Sequence, residues 1–401
     1  MGLNKKYDGY VAYQYLEKDK DYKGFKYPKG VGRVEEYYIP LNEEQEKRVL
    51  DIAEKYIFIS LHEHPVLFPE DLSQLPEYIR EGRQPADYEA LSKSYLDVVF
   101  DNMMDGVCTI SSKNGWKWND VLHDLGMRLC DLAHQSMVIR CEKVEDMIRA
   151  HKEGKIALVP VIEGAAMLEN EVDRVDILYG FGVRMMGITY SESNSLGSGL
   201  KEKNDGGLTA LGYKVVERMN KVGMAIDCSH VGDKTTMDVI NASTKPIFLS
   251  HCGARSLWNS RRLKPDDVIK ACADKGGVIG IEAAPHTTLT INNTQHSIES
   301  FMEHFEYIKD MVGIDHVAFG PDTLYGDHVG LHRTFASNLS IKSAHEGSAE
   351  FEEVEYVKGL ENPTEASINI VRWLVKHNYS DQDIEKVLGG NTIRALKEIW
   401  V

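Results

Sequence analysis

Cysteine is scarce in this chain. Six occur among 401 residues, none in a Cys-x-x-Cys pair, too few and too scattered for a disulfide framework. Basic charge is also short: 46 Lys and Arg face 62 Asp and Glu, a formal net charge of −16. Nucleic acids and anionic membrane surfaces select a basic face, so neither is an expected partner. No apolar run approaches the ~18 residues of a membrane span. Met1-Gly2-Leu3-Asn4-Lys5-Lys6-Tyr7 leads into no apolar core with a small-residue cleavage site, and Lys397-Glu398-Ile399-Trp400-Val401 is no hydrophobic tail. Neither a secretory leader nor a lipid anchor is expected. No Gly-x-Gly-x-x-Gly follows an apolar run, which argues against dinucleotide binding. What is present, 42% hydrophobic and 27% charged residues, suits a globular protein with a large core, expected in the cytoplasm.

Eight of the nineteen tyrosines lie in the first 45 residues (Tyr7, Tyr10, Tyr13, Tyr15, Tyr22, Tyr27, Tyr37 and Tyr38). Such an arm could stack on single-stranded nucleic acid, but Glu17, Asp19, Asp21, Glu35 and Glu36 interrupt its positive charge. Residues 1–45 are expected to be an extension packing on the protein's own surface or on a subunit interface. Beyond it a rhythm begins. Short apolar runs recur at 56–59, 107–110, 156–159, 184–188, 224–227, 246–249, 277–281 and 316–319, separated by stretches of helical spacing such as 144–149 and 266–272. Buried strands alternating with amphipathic helices imply a parallel sheet, and about eight units fit a closed (β/α)8 barrel. The tail reads as helices over 366–377 and 380–388, stopped by Gly389-Gly390, then a third short piece. Residues 46–401 are therefore expected to form a single α/β barrel domain with C-terminal helices.

The chemistry sits after the runs. His62-Glu63-His64 follows the first, Glu163 the third, His230 the fifth, His251 the sixth and Asp322 the eighth. Barrel active sites form at the C-terminal strand ends, so these side chains should converge. Several imidazoles and carboxylates in one place suit a catalytic transition-metal site. His123, His134, His151, His304 and His377 lie in helical stretches and read as structural or solvated. His286, His328 and His332 lie in expected strand-following loops and could line the pocket. Cys228 and Cys252, beside His230 and His251, are the less favoured thiolate candidates.

Several segments together are distinctive: Ile162-Glu163-Gly164, Leu178-Tyr179-Gly180-Phe181-Gly182-Val183-Arg184, Gly207-Leu208-Thr209-Ala210-Leu211-Gly212 and Asp227-Cys228-Ser229-His230-Val231-Gly232. Ser250-His251, Arg261-Arg262 and Leu388-Gly389-Gly390-Asn391 extend the series. From about Ile57 onward the chain resembles the membrane (renal) dipeptidase family. The resemblance implies a binuclear zinc hydrolase on an amidohydrolase-type barrel, with two Zn2+ per chain, cleaving dipeptides by a metal-bridging hydroxide. It implies Glu163 as the bridging ligand, His62 and His64 on one zinc, and His230 and His251 on the other. Asp322 becomes the acid/base, Arg262 the group that recognises the substrate carboxylate, and a homodimer the expected assembly. Arg262 could instead pair with Asp266 or Asp267 at the surface. Three positions depart from the family pattern. His64 replaces an Asp, Tyr190 replaces a substrate-contacting His, and Asp322-Thr323-Leu324-Tyr325-Gly326 replaces Asp-Phe-Asp-Gly. Tyr190 and that altered loop motivate an alternative, hydrolysis of another amide, a cyclic amide or an ester; a non-catalytic binding protein is the remote third reading.

Overall fold

In the computed structural model, which describes residues 5–81, 83–103, 116–336 and 351–401, the apolar runs become strands. They are β1 (Ile59–Leu67), β2 (Val98–Met103), β3 (Val138–Arg140), β4 (Ile156–Ile162), β5 (Met185–Gly187), β6 (Ala225–Asp227), β7 (Phe248–Cys252), β8 (Val278–Ile281), β9 (Val317–Phe319) and β10 (Leu324–Tyr325). All pairings between them are parallel, in the order β1-β2-β4-β5-β6-β7-β8-β9, and the Ser60–Phe319 pairing of β1 with β9 closes an eight-stranded barrel. β3 pairs with the first half of β4, and β10 extends the far end of β1. This is the expected (β/α)8 architecture.

Residues from all eight barrel strands gather in one buried cluster, including Leu61, Phe100, Val159, Met185, Ala225, Phe248, Val278 and Ala318. Leu396 and Ile399 of the C-terminal helix Asn391–Ile399, and Trp400 just after it, belong to the same cluster. The Trp400 ring stacks at 6.4 Å on Phe100 and its Nε1–H donates to the Arg184 carbonyl. Polar chemistry is thus left to the opposite, C-terminal ends of the strands.

The tyrosine-rich segment lies along the barrel flank. The Lys5 ammonium pairs with buried Asp97, Tyr10 Oη donates to Asp131, and the Ile39 N–H donates to Asn369 Oδ1 at 2.9 Å. No helix among the described residues is long and apolar enough to cross a membrane.

Three local expectations need correction or fall outside the structure. The first strand does not end at residue 59: β1 runs to Leu67, so His62, Glu63 and His64 lie inside it, as His251 lies inside β7. The expected strand at 107–110 lies outside the described residues, and the barrel's second strand is Val98–Met103. Gly389-Gly390 does not stop the tail helix. A π-helical turn, Lys386–Gly390, carries the chain directly into Asn391–Ile399. Gly389 is there for proximity, since a Cβ on it would lie 2.4 Å from the Ile57 carbonyl oxygen.

Candidate metal centre

β1 delivers His62 and His64, the end of β4 delivers Glu163, the turn after β6 delivers His230, β7 delivers His251, and the segment after β9 delivers Asp322. The His62 and His64 Nε2 atoms lie 3.2 Å apart, and those of His230 and His251 lie 3.0 Å apart. Glu163 Oε1 is between the pairs, 3.1 Å from His230 Nε2 and 3.6 Å from both His251 and His62 Nε2. Asp322 Oδ1 is 3.1 Å from His64 Nε2 and 3.4 Å from His62 Nε2. Two overlapping groups therefore have the spacing of metal ligands, His62–His64–Asp322 and His62–Glu163–His251. Asp322 stands within ligand reach as well as in a position for proton transfer.

The outer nitrogens decide what the inner ones present. His64 donates Nδ1–H to the Asn102 carbonyl at 2.9 Å; a carbonyl only accepts, so in the neutral ring Nε2 carries the lone pair. His251 Nδ1 meets Ser250 Oγ at 2.8 Å and His230 Nδ1 meets Ser191 Oγ at 3.1 Å. Burial pushes the pKa of His62 down, and those of His230 and His251 well down, so these rings are neutral near pH 7. Where both facing nitrogens present lone pairs, at about 3 Å they repel unless a cation lies between them. The donor set, four imidazoles and two carboxylates, with His64, His230 and His251 held by outer hydrogen bonds, fits a pair of divalent transition-metal ions. Burial works to raise the Asp322 pKa, but the His62 and His64 imidazoles hold it well below the usual carboxylate range.

Asp322 adopts a left-handed backbone, φ +59°, a conformation costing a non-glycine residue about 1–2 kcal/mol. Its own N–H donates to the His62 carbonyl at 3.0 Å and the His64 N–H donates to the Thr323 carbonyl at 2.9 Å. Glu63 completes the clamp by accepting from Thr323 N–H at 2.8 Å, Thr323 Oγ1–H at 2.7 Å and Ser60 Oγ–H at 3.0 Å.

A cavity beside the centre is lined by His64, Glu163, His230, Asp322, Arg262 and Tyr190. Arg262 is buried and turns away from Asp266 and Asp267. Its guanidinium pairs with buried Glu282 and donates to the His251 carbonyl at 3.1 Å. Burial pushes the Glu282 carboxyl up to about 7 against the pull of Arg262. The Tyr190 ring stacks on His230 at 4.3 Å, and burial and then the Glu163 and Asp322 charges raise its phenol well above its ordinary pKa. His328 and His332 also line the cavity, one turn apart on the helix His328–Ala336 rather than in a loop; His286 is not part of the lining. Cys228 and Cys252 are buried thiols outside both ligand groups, Cys252 pushed up to about 12 by burial. Sequence reasoning gave no role to Glu63, Asp227 or Glu282. Asp227 accepts from Ser250 Oγ at 2.8 Å and so stands behind His251; its place three residues before His230 was the available signal.

The family profile described as "Membrane dipeptidase (Peptidase family M19)" matches residues 48–332. This chain belongs to that family. Among its relatives, Dipeptidase tcpJ of Claviceps purpurea (strain 20.1) is 27% identical over 278 residues, 69% of this chain and 58% of that protein. Dipeptidase 3 of Rattus norvegicus is 25% identical over 255 residues, 61% of this chain and 45% of that protein. The match thus spans about half the length of these dipeptidases. In fold, the M19 chain resembles an amidohydrolase from Pseudomonas aeruginosa, with a TM-score of 0.71 and 23% identity over 88% of this chain and 99% of that one. A metallo peptidase from Rhodobacter sphaeroides, solved with a phosphinate mimic of the dipeptide L-Ala-D-Ala, gives a TM-score of 0.66 at 17% identity, covering 86% and 99% of the two chains.

Proposed function

We propose that this M19 protein is a zinc-dependent dipeptidase with two zinc ions per chain. The observation that carries the reading is the convergence of His62, His64, Glu163, His230, His251 and Asp322 with their inner nitrogens face to face. Bound there, the ions would supply Lewis acidity, polarising the scissile carbonyl and lowering the pKa of an attacking water to about 7. The chain's residues do the rest. Glu163 spans the two imidazole pairs and holds them in register. Asp322 accepts the proton of the attacking water at its carboxylate and returns it to the departing amine. Arg262 offers a guanidinium to the substrate's free carboxylate, which cannot be buried unpaired without a large cost. Tyr190 donates a hydrogen bond into the same cavity while staying uncharged near pH 7.

One observation favours the second reading, a hydrolase of another amide, cyclic amide or ester. Glu282 already neutralises Arg262, so a substrate without a carboxylate leaves no charge unpaired. One substrate screen separates the two. The purified protein, with its metal content measured, is given dipeptides, the same dipeptides amidated at the C-terminus, N-acyl amino acids and lactones. The dipeptidase reading expects free dipeptides to be preferred strongly, chelation to abolish turnover, and Arg262→Ala to raise KM. Equal cleavage of amidated and free dipeptides, with no effect of Arg262→Ala, overturns it in favour of the second. Active protein without transition metal overturns both.

A further inference from the structure

The tyrosines of the first 45 residues play no part in the metal centre. Tyr7, Tyr10, Tyr13, Tyr22 and Tyr27, with Tyr88, instead wall a cavity of about 340 Å3 that shares no lining residue with the metal-centre cavity. That volume lies in the range of small-molecule pockets, which combine aromatic walls with a few placed polar groups. These tyrosines all precede residue 48, where the family match begins, apart from Tyr88.

The walls are held in place by the protein itself. The Tyr10 and Tyr88 hydroxyls donate to the two oxygens of buried Asp131 at 2.7 and 2.8 Å, and their rings meet edge to face at 5.5 Å. The Tyr13 N–H donates to the same carboxylate at 2.7 Å. Rings fixed this way lose little freedom when a ligand enters.

Charge then selects the ligand. The Arg83 guanidinium lies over the Tyr13 and Tyr22 rings, 5.6 and 5.3 Å from their centres, and pairs with no carboxylate among the described residues. Lys18 donates to the Phe25 carbonyl at 3.2 Å rather than to an acid. Of the two acids of the lining, one caps a helix and the other pairs with a lysine outside the cavity. Asp87 accepts from the Ala90 N–H at 2.9 Å as the cap of the helix Tyr88–Ser92, and Glu89 pairs with Lys93 at 2.8 Å. Aromatic walls thus stand beside a fork of donors that forms no ion pair with a described carboxylate and is suited to one.

We propose that this cavity is a second ligand site, separate from the metal centre, for a planar aromatic carboxylate whose ring stacks on the tyrosines and whose anion meets Arg83. The test titrates the full-length, metal-loaded protein calorimetrically with indole-3-propionate, with its uncharged amide, and with propionate. The acid should bind saturably at one site per chain, and both partial probes at least tenfold more weakly. Arg83→Met should weaken the acid about tenfold or more, the scale of a charge-assisted hydrogen bond, down to the level of the amide. Arg83→Lys should recover part of the loss, and Tyr22→Leu should weaken acid and amide alike. Arg83 and Tyr22 are partly exposed and distant in role from the hydrolytic groups, so melting temperature and metal content should stay native in each variant. A carboxylate captured by the metal centre instead would give heats indifferent to Arg83→Met and Tyr22→Leu. That result, or no saturable binding through the millimolar range, overturns the proposal.

Discussion

Replacing Asp227 by Asn should cost metal at a distance, through the tautomer of His251. Asp227 Oδ1 accepts from Ser229 N–H at 3.3 Å, Ser229 Oγ–H at 2.8 Å and Ser250 N–H at 2.8 Å, while Oδ2 accepts from Ser250 Oγ–H at 2.8 Å. Ser250 has thereby committed its hydrogen, so its oxygen accepts Nδ1–H from His251 and leaves the Nε2 lone pair facing inward. An amide at position 227 keeps the three bonds at one oxygen but turns a donor toward Ser250. The serine hydrogen then points at His251 Nδ1 and the imidazole proton moves to Nε2. One charge-assisted bond is lost, about 1.5–3 kcal/mol of stability. Disturbing a partner behind a ligand lowers metal affinity about 10–100-fold. The assay is metal per chain, measured against a series of buffered zinc concentrations. Native protein should reach two at concentrations where Asp227→Asn holds fewer. Ser250→Ala, which removes the relay without presenting a hydrogen, should fall between. Two zinc ions bound to Asp227→Asn with native affinity would refute the argument that this chain of hydrogen bonds sets the tautomer.

Asp322→Asn should keep most metal yet lose about 10²-fold or more in turnover, because an amide cannot carry the proton; steady-state rates at measured occupancy decide it. Gly389→Ala places a Cβ 2.4 Å from the Ile57 carbonyl oxygen and should cost about 1–3 kcal/mol in urea unfolding. Gly390→Ala meets only the mobile end of Glu385, at 3.0 Å, and should be close to neutral. Glu365 is buried, which with lesser contributions raises its carboxyl from 4.5 to about 7. The folded state therefore keeps a proton that the unfolded chain releases above about pH 4.5, and this group's share of stability falls as pH rises from there to about 7. Glu365→Gln escapes that loss, so its stability relative to native protein should rise across the window by up to about 3 kcal/mol, as read from denaturant melts at pH 5 and pH 8.

The alternation of apolar runs and amphipathic stretches was sufficient to read the barrel, because buried parallel strands carry little but apolar residues. It failed where function interrupts the pattern. β1 looked finished at Ile59 because Ser60, His62, Glu63 and His64 are polar, although all are buried in the strand. Val98-Val99-Phe100 is a short apolar run followed by Asp101 and Asn102, and these too are buried, Asp101 against Arg128. A glycine pair reads as a helix stop by propensity, yet at Gly389 the close approach to the Ile57 backbone just before β1 overrides it. Six side chains at the strand ends could be named in advance because the fold dictates where strand ends meet. Their supports could not. Glu282 lies twenty residues beyond Arg262, just past the end of the next strand, and only the parallel pairing of β7 with β8 brings carboxylate and guanidinium together.

The single pairing that joins the first barrel strand to the last has a kinetic consequence. His64 and Asp322 are 258 residues apart in sequence yet 3.1 Å apart in the fold. Bringing such distant positions together in a flexible chain costs about 5 kcal/mol in loop entropy. An emerging or unfolded polypeptide therefore offers a cation little beyond the neighbouring His62 and His64. Strong capture by the His62–His64–Asp322 group has to wait until β9 has docked on β1, so that group discriminates finished molecules from unfinished ones. A cation that binds only the finished barrel stabilises it by mass action and scarcely traps the chain on the way.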